Sequence, residues 1–109
     1  MSNFEQEKLL LEGLALNDRA VVETIYRDNY PVIQSFILNN NGNSDEARDI
    51  FQEAMIVIYE KAVSGNFELN CLLKTYIYSV CRRLWLKRLH QLQRYGSLVE
   101  NIEETVAVE

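Results

Sequence analysis

Basic residues recur along one stretch of the chain at a spacing that suits the binding of a polyanion. Residues 69–99 contain six Lys and Arg and no Asp or Glu, whereas the whole chain has a formal net charge of −5. Spacings of four, three and four residues would place one set on a single helix face: Arg83, Lys87, His90 and Arg94. Cationic groups release counterions from phosphates, so this local charge predicts polyanion binding despite the acidic total.

The same stretch interleaves aromatic and basic residues on a second helix face. This second set consists of Tyr78, Arg82, Trp85 and Leu89, with Lys74 and Arg88 beside it. Flat aromatic rings provide surfaces on which unstacked bases can stack. For Trp85, base stacking and packing in a core are equally compatible with the sequence. For Tyr76, nearer the predicted core side, packing is the favoured interpretation.

A second candidate surface combines acidic and apolar groups on an earlier helix. Its members are spaced by three, one and three residues: Asp49, Gln52, Glu53 and Ile56. Residue types alone favour an ordinary solvated helix face. However, Ile56 lies within the acidic rim, with Met55 and Tyr59 nearby, and apolar groups in such a setting are typical of a protein-binding patch.

Signatures of catalysis and of cofactor binding are missing from the sequence. It has no Gly-rich phosphate loop, no nucleophile elbow and no metal-binding His pair. Cys71 and Cys81, if both lie on one helix, would be roughly 15 Å apart, too far for a disulfide. We therefore predict a non-enzymatic protein without cofactors.

No apolar run reaches the roughly 20 residues of a membrane helix, and the N-terminus lacks signal-peptide features. The sequence therefore predicts a cytoplasmic protein without membrane insertion.

Apolar spacing throughout the chain predicts an all-α fold, a compact bundle of about four helices. The first helix is expected from about Asn3 to Gly13, and the second after an N-cap at Asn17, with a kink or split at Pro31. The third should start at Ser44 and end at Ser64–Asn66. The fourth should run from a cap at Asn70 to about Arg94. Residues 1–96 would form one domain, and 97–109 an acidic tail or the start of an interdomain linker.

Two apolar stripes are predicted to build the core. The third helix would contribute Ala47, Ile50, Phe51, Ala54, Val57 and Ile58. The fourth would contribute Leu73, Ile77, Val80 and Leu84. On the third helix this stripe lies away from the acidic and apolar candidate surface, so burial of the stripe would turn that surface toward the solvent.

These motifs together resemble a known family. The run Ser44–Glu53, then Phe67, Leu73–Val80 and Arg82, resembles the second conserved region of bacterial RNA polymerase sigma factors. The small extracytoplasmic-function type is the most similar subgroup. The resemblance covers roughly residues 18–94.

The resemblance implies roles for both surfaces. Asp49, Gln52 and Glu53 would dock on the clamp coiled coil of the polymerase β′ subunit, with Met55 and Tyr59 as neighbouring contacts. Ile56 is added to this predicted polymerase-binding set because its spacing places it on the same helix face. The loop 65–70 would capture a base flipped out of the minus-ten promoter element, and the following helix would track the non-template strand. The implied DNA-binding residues are Asn66, Phe67, Asn70, Lys74, Tyr78, Arg82, Arg83, Trp85, Lys87 and Arg88.

The chain also departs from the family pattern. Many relatives have Glu where Arg48 stands and Asn where Arg83 stands. The 109 residues contain no counterpart of the domain that binds the minus-thirty-five element. These departures leave open a second function: a sigma-like helical interaction module that binds a regulatory partner, such as an anti-sigma factor, without initiating transcription.

Overall fold

The computed structural model describes the backbone of residues 3–65 and 67–108 and the side chains of 5–65 and 67–92. Four helices follow one another in this part of the chain, and it contains no strand, which confirms the all-α prediction. Their bounds are α1 Asn3–Ala15, α2 Arg19–Leu38, α3 Ser44–Ser64 and α4 Leu73–Val108.

The connection between α1 and α2 differs from the predicted one by a few residues. Helix α1 passes Gly13, which is buried so close to α2 that a Cβ there would lie 2.6 Å from Val21. Asn17 adopts the left-handed region (φ 56°), which Asn tolerates after a helix end. Asp18, one residue later than predicted, is the N-cap of α2, and its carboxylate accepts the backbone N–H groups of Ala20 and Val21.

Pro31 does not split α2, which is one helix of 20 residues. A proline inside a helix removes one backbone donor, here the partner of the Arg27 carbonyl. Both residues lie on the exposed side of α2, where water can take the place of that donor. The prediction of a split at Pro31 was therefore wrong, and the alternative of a kink there stays a prediction.

Helix α3 has a strong signal at each end. Asn43, one residue before the predicted start, forms a capping box with Glu46: the Asn43 side chain accepts the Glu46 N–H at 2.8 Å, and the Glu46 carboxylate accepts the Asn43 N–H at 3.1 Å. Gly65 closes the helix in the left-handed conformation (φ 77°), where glycine carries no steric penalty. The predicted end is confirmed.

Helix α4 begins later and extends further than predicted. It starts at Leu73 instead of just after Asn70, so Cys71 precedes the helix and does not share it with Cys81. At its other end it continues past Arg94 to Val108, across residues predicted as a tail from their weak apolar periodicity. Side chains beyond residue 92 lie outside the described part, and the division at residue 96 stays a prediction.

The predicted apolar stripes form most of the core. Ala47, Ile50, Phe51, Ala54 and Ile58 of α3 and Leu73, Ile77 and Val80 of α4 are buried, which confirms both faces. Val57 and Leu84 are half-buried. The other buried apolar residues in the described part are Leu14, Ile25, Ile33, Ile37, Cys81 and Trp85.

The turn between α2 and α3 closes over the indole ring of Trp85. The Trp85 Nε1–H donates to the Asn40 carbonyl at 3.0 Å, and the Gly42 N–H donates to the Ile37 carbonyl at 2.9 Å. A Cβ on Gly42 would lie 2.7 Å from the Trp85 ring and closer still to Ile37. Glycine is therefore required here for close packing.

We expect Gly42→Ala to lower the free energy of unfolding by about 1–3 kcal/mol, because the added methyl group must displace a buried ring or the turn. Urea denaturation followed by circular dichroism measures this. Ser44→Ala, an exposed substitution two residues away, is the control and should change stability by no more than about 0.5 kcal/mol. Equal stability of the two variants would contradict the tight packing.

Candidate protein-binding and nucleic-acid-binding surfaces

The outer face of α3 presents the acidic and apolar residues expected from the sequence. Asp49, Gln52, Glu53 and Ile56 are all exposed, and Ile56 keeps 59% of its accessible area. The capping box fixes where α3 begins. Because the buried stripe of α3 packs against the core, this face points toward the solvent. Such a face suits a partner protein whose apolar group covers the isoleucine and whose cationic or hydrogen-bonding groups contact the surrounding carboxylates and amide.

Three nearby side chains modify this face. Tyr59 is exposed, whereas Met55 is half-buried against the core and reaches the face only at its edge. The Arg48 guanidinium lies 2.5 Å from the Asp45 carboxylate. This ion pair offsets the charge of Arg48 beside the outer face.

Basic side chains spread over the solvent side of α4. Lys74, Arg82, Arg83, Lys87 and His90 are exposed, while the side chain of Arg94 lies outside the described residues. We call the surface formed by these five exposed residues, which wraps around the solvent side of α4, the cationic face. Arg83, Lys87 and His90 recur along it as predicted. Spread along five turns of helix, such charges suit an extended phosphate backbone better than a single anion.

Trp85 does not belong to this surface. Its side chain is fully buried (0% exposed) beneath the turn between α2 and α3, so it cannot stack on a base, and this predicted DNA contact is corrected. The sequence held a signal for this: Trp85 follows Ile77 and Cys81 at spacings of four residues, the repeat of the core stripe. Tyr78 remains 37% exposed, with its ring against Phe36 at 5.3 Å between centroids.

Arg88 faces α3 and not the cationic face. Its guanidinium lies 3.7 Å from the Glu53 carboxylate, and the two side chains are 32% and 52% exposed. A partly exposed pair of this kind contributes only about 0–1 kcal/mol to stability. It nevertheless links the helix that carries the cationic face to Glu53 on the outer face of α3.

Lys61 of α3, Phe67 of the loop and Tyr76 of α4 form an aromatic and cationic cluster. The Lys61 ammonium donates to the Tyr76 hydroxyl at 3.0 Å and lies 5.8 Å and 5.7 Å from the ring centroids of Phe67 and Tyr76. The two rings are 5.0 Å apart. Phe67 and Tyr76 are half-buried, which agrees with the packing role favoured for Tyr76. Lys61 was missed because a residue on α3 gives no sequence signal of its contact with α4.

An open cleft lies between α1 and the loop that precedes α4. Its volume is about 800 Å³, and it is lined by Glu7, Lys8 and Leu11 of α1 and by residues 67–72. Asn70 is exposed on its rim, while Asn66 lies outside the described residues. The sequence assigned no role to α1, because the wall of the cleft forms only on folding.

The remaining reactive groups give no further chemistry. Burial raises the pKa of the Cys81 thiol to about 12, so this thiol stays protonated, and Cys71 is exposed and free. Within the described part, no group of three His, Cys, Asp or Glu residues is placed to hold a metal ion. None of the described helices combines the length and apolar content needed to cross a membrane.

The described part of the chain is a helical bundle that carries an acidic and apolar surface on α3 and a cationic surface on α4. Comparison with protein families matches residues 25–95 to Sigma-70 region 2. This match spans more than half of the chain, so the chain belongs to the Sigma-70 region 2 family. It confirms the sigma-factor resemblance and gives the domain a role in transcription initiation, where such domains interact with core RNA polymerase and promoter DNA. Comparisons with curated proteins and with solved structures found no significant match.

Proposed function

We propose that this is an extracytoplasmic-function sigma domain that works in the cytoplasm by docking on core RNA polymerase and holding open the minus-ten element. The outer face of α3, with Asp49, Gln52, Glu53 and Ile56, would bind the β′ clamp coiled coil, with Tyr59 and Met55 at its edge. The observation that carries the proposal is the contact between this acidic and apolar face and a helix whose exposed charges are cationic, both inside the matched segment.

On the DNA side, the cationic face would hold the non-template strand through its phosphates. Tyr78 and the Lys61–Phe67–Tyr76 cluster would offer aromatic and cationic groups at the start of that path, with Asn70 in the same loop as Phe67. Asn66 stays a predicted contact from the sequence. Extruding a base costs a few kcal/mol, and stacking returns about 1–3 kcal/mol per base. Arg88 would become available to DNA only if its contact with Glu53 opened.

Such a surface gives the isolated domain weak and salt-sensitive DNA binding. Phosphate contacts are independent of sequence and lose affinity steeply as salt rises. Sequence preference should therefore emerge in the complex with polymerase, which orients the cationic face along the opened strand. This difference separates a sigma factor from a merely basic helix.

We expect the double variant Gln52→Ala/Glu53→Ala to bind core polymerase roughly 10–100-fold more weakly than wild type while staying folded, because both side chains are exposed and central to the outer face. Interferometry with immobilised polymerase measures the affinity, and circular dichroism checks the fold. Gln6→Ala/Glu12→Ala removes the same two residue types from exposed positions on α1 and should bind like wild type.

The same experiment is extended by titrating single-stranded oligonucleotides at two salt concentrations, with and without polymerase. Polymerase binding lost only in the outer-face variant, with DNA affinity gained in the complex, supports the proposal. Unchanged binding of that variant contradicts the outer-face assignment. If wild type does not bind polymerase at all, the alternative function is favoured: a sigma-like module that binds a regulatory protein such as an anti-sigma factor.

A further inference from the structure

A hydrogen bond joins the first helix to the start of the cationic helix. The Leu73 backbone N–H donates to the Glu7 carboxylate at 2.5 Å, across 66 residues of sequence. Glu7 lies outside the segment 25–95 that matches the family, and its side chain is half-buried. The contact is therefore a tertiary feature of this chain that neither the family match nor local spacing predicts.

This bond supplies what the start of α4 lacks. Leu72 occupies the N-cap position, since its carbonyl accepts the first helical N–H, from Tyr76. Its apolar side chain cannot accept a hydrogen bond from the first turn, as Ser, Asp or Asn would. The Glu7 carboxylate takes over that function, and its negative charge lies at the positive end of the α4 dipole. The position of Leu73 is thus fixed relative to α1.

Fixing Leu73 also fixes the wall of the cleft. Residues 67–72 end directly at this bond, and Glu7, Lys8 and Leu11 form the opposite wall. The volume of about 800 Å³ lies within the ~300–1,000 Å³ typical of small-molecule pockets, and the walls are apolar with a few polar groups. Lys8, which also lines the cleft, contributes one positive charge against the two negative charges of Glu7 and Glu68.

We propose that Glu7 is a positioning residue that holds residues 67–72 against α1 and so completes a pocket for one unstacked nucleobase. This rests on the proposed function, because it requires that the loop bind a flipped base. It goes further because it assigns one wall of the pocket to α1. It also assigns the alignment of that wall with residues 67–72 to the Glu7 carboxylate. Glu7 acts through Leu73, so its loss reduces the binding of the base without removing phosphate contacts.

The test compares how tightly the full chain, bound to core polymerase, binds an intact oligonucleotide and one that lacks a single base. Single-stranded oligonucleotides are first selected by the wild-type complex from a random pool, and each position of the selected sequence is then replaced by an abasic site. At the captured position, wild type should prefer the intact base by about tenfold. Glu7→Ala should bring that preference close to one, while its affinity for polymerase and the salt dependence of its DNA binding stay at wild-type values.

Two further variants separate positioning from general effects. Glu7→Gln keeps an oxygen that can accept the Leu73 N–H and should retain most of the base preference. Glu12→Ala removes an exposed carboxylate from the same helix and should behave as wild type.

Each outcome has one meaning. A Glu7→Ala complex that still prefers the base by tenfold overturns the positioning role, as does a Glu7→Gln variant that fails as fully as Glu7→Ala. A wild-type complex that binds polymerase but selects no sequence overturns the proposed function itself, and the nucleobase pocket with it. Loss of the preference in Glu7→Ala alone supports the proposal.

Discussion

Trp85→Ala is expected to lower the free energy of unfolding by about 3–5 kcal/mol, a large part of the roughly 5–15 kcal/mol that stabilises an ordinary domain. The ring is fully buried between α4 and the turn that carries Asn40 and Gly42, and its removal leaves a cavity. It also leaves the Asn40 carbonyl without the indole donor. Urea denaturation followed by circular dichroism measures the loss.

Trp85→Phe is the matched variant. It keeps an aromatic ring but removes the indole N–H, so its cost should be smaller, with about 1–3 kcal/mol from the unsatisfied carbonyl. The opposite result is also informative. If Trp85→Ala kept wild-type stability and instead weakened DNA binding, the ring would be an exposed surface on which bases stack. The assignment of Trp85 to the core would then be wrong.

The wrong assignment of Trp85 to the DNA-binding surface shows what helical periodicity in a sequence cannot decide. Tyr78 lies seven residues before Trp85 and Ile77 eight, and either spacing returns to nearly the same helix face. Trp85 therefore fits the core stripe and the aromatic and basic stripe equally well. Only the turn around Gly42, which packs on the ring and accepts its N–H, decides between them. That contact joins residues 45 apart in sequence.

The stripes themselves could be predicted because the helical period is a local property. Ala47, Ile50, Phe51, Ala54 and Ile58 point inward together, and the outer face of α3 is what remains. Contacts that depend on which helices meet could not be predicted. The Glu7–Leu73 bond, the Lys61–Tyr76 bond and the Arg88–Glu53 pair all join separate elements. Helix ends were placed to within a few residues, except at the end of α4, which continues through residues predicted as a tail.

The buried ring of Phe51 fixes the orientation of α3 and therefore the direction in which its outer face points. The Phe51 ring is fully buried and meets Tyr26 and Tyr30 of α2 edge-on, at centroid distances of 4.9 Å and 5.5 Å. Such aromatic pairs are worth about 0.5–1.5 kcal/mol each beyond the area they bury. Gln52 and Glu53 follow directly in sequence, so the packing of Phe51 on α2 turns them toward the solvent.

Phe51→Ala is accordingly expected to cost about 3–5 kcal/mol of stability, with Phe51→Leu losing less because it keeps most of the apolar volume. Thermal and urea denaturation measure both. Ile56→Ala is the control on the opposite face of α3: 59% exposed, it should leave stability within about 0.5 kcal/mol of wild type yet weaken polymerase binding. Phe51→Ala, by contrast, should bind polymerase in proportion to its folded fraction. If Ile56→Ala unfolded the domain and Phe51→Ala did not, the inner and outer faces of α3 would be exchanged, and the polymerase-binding assignment would fail with them.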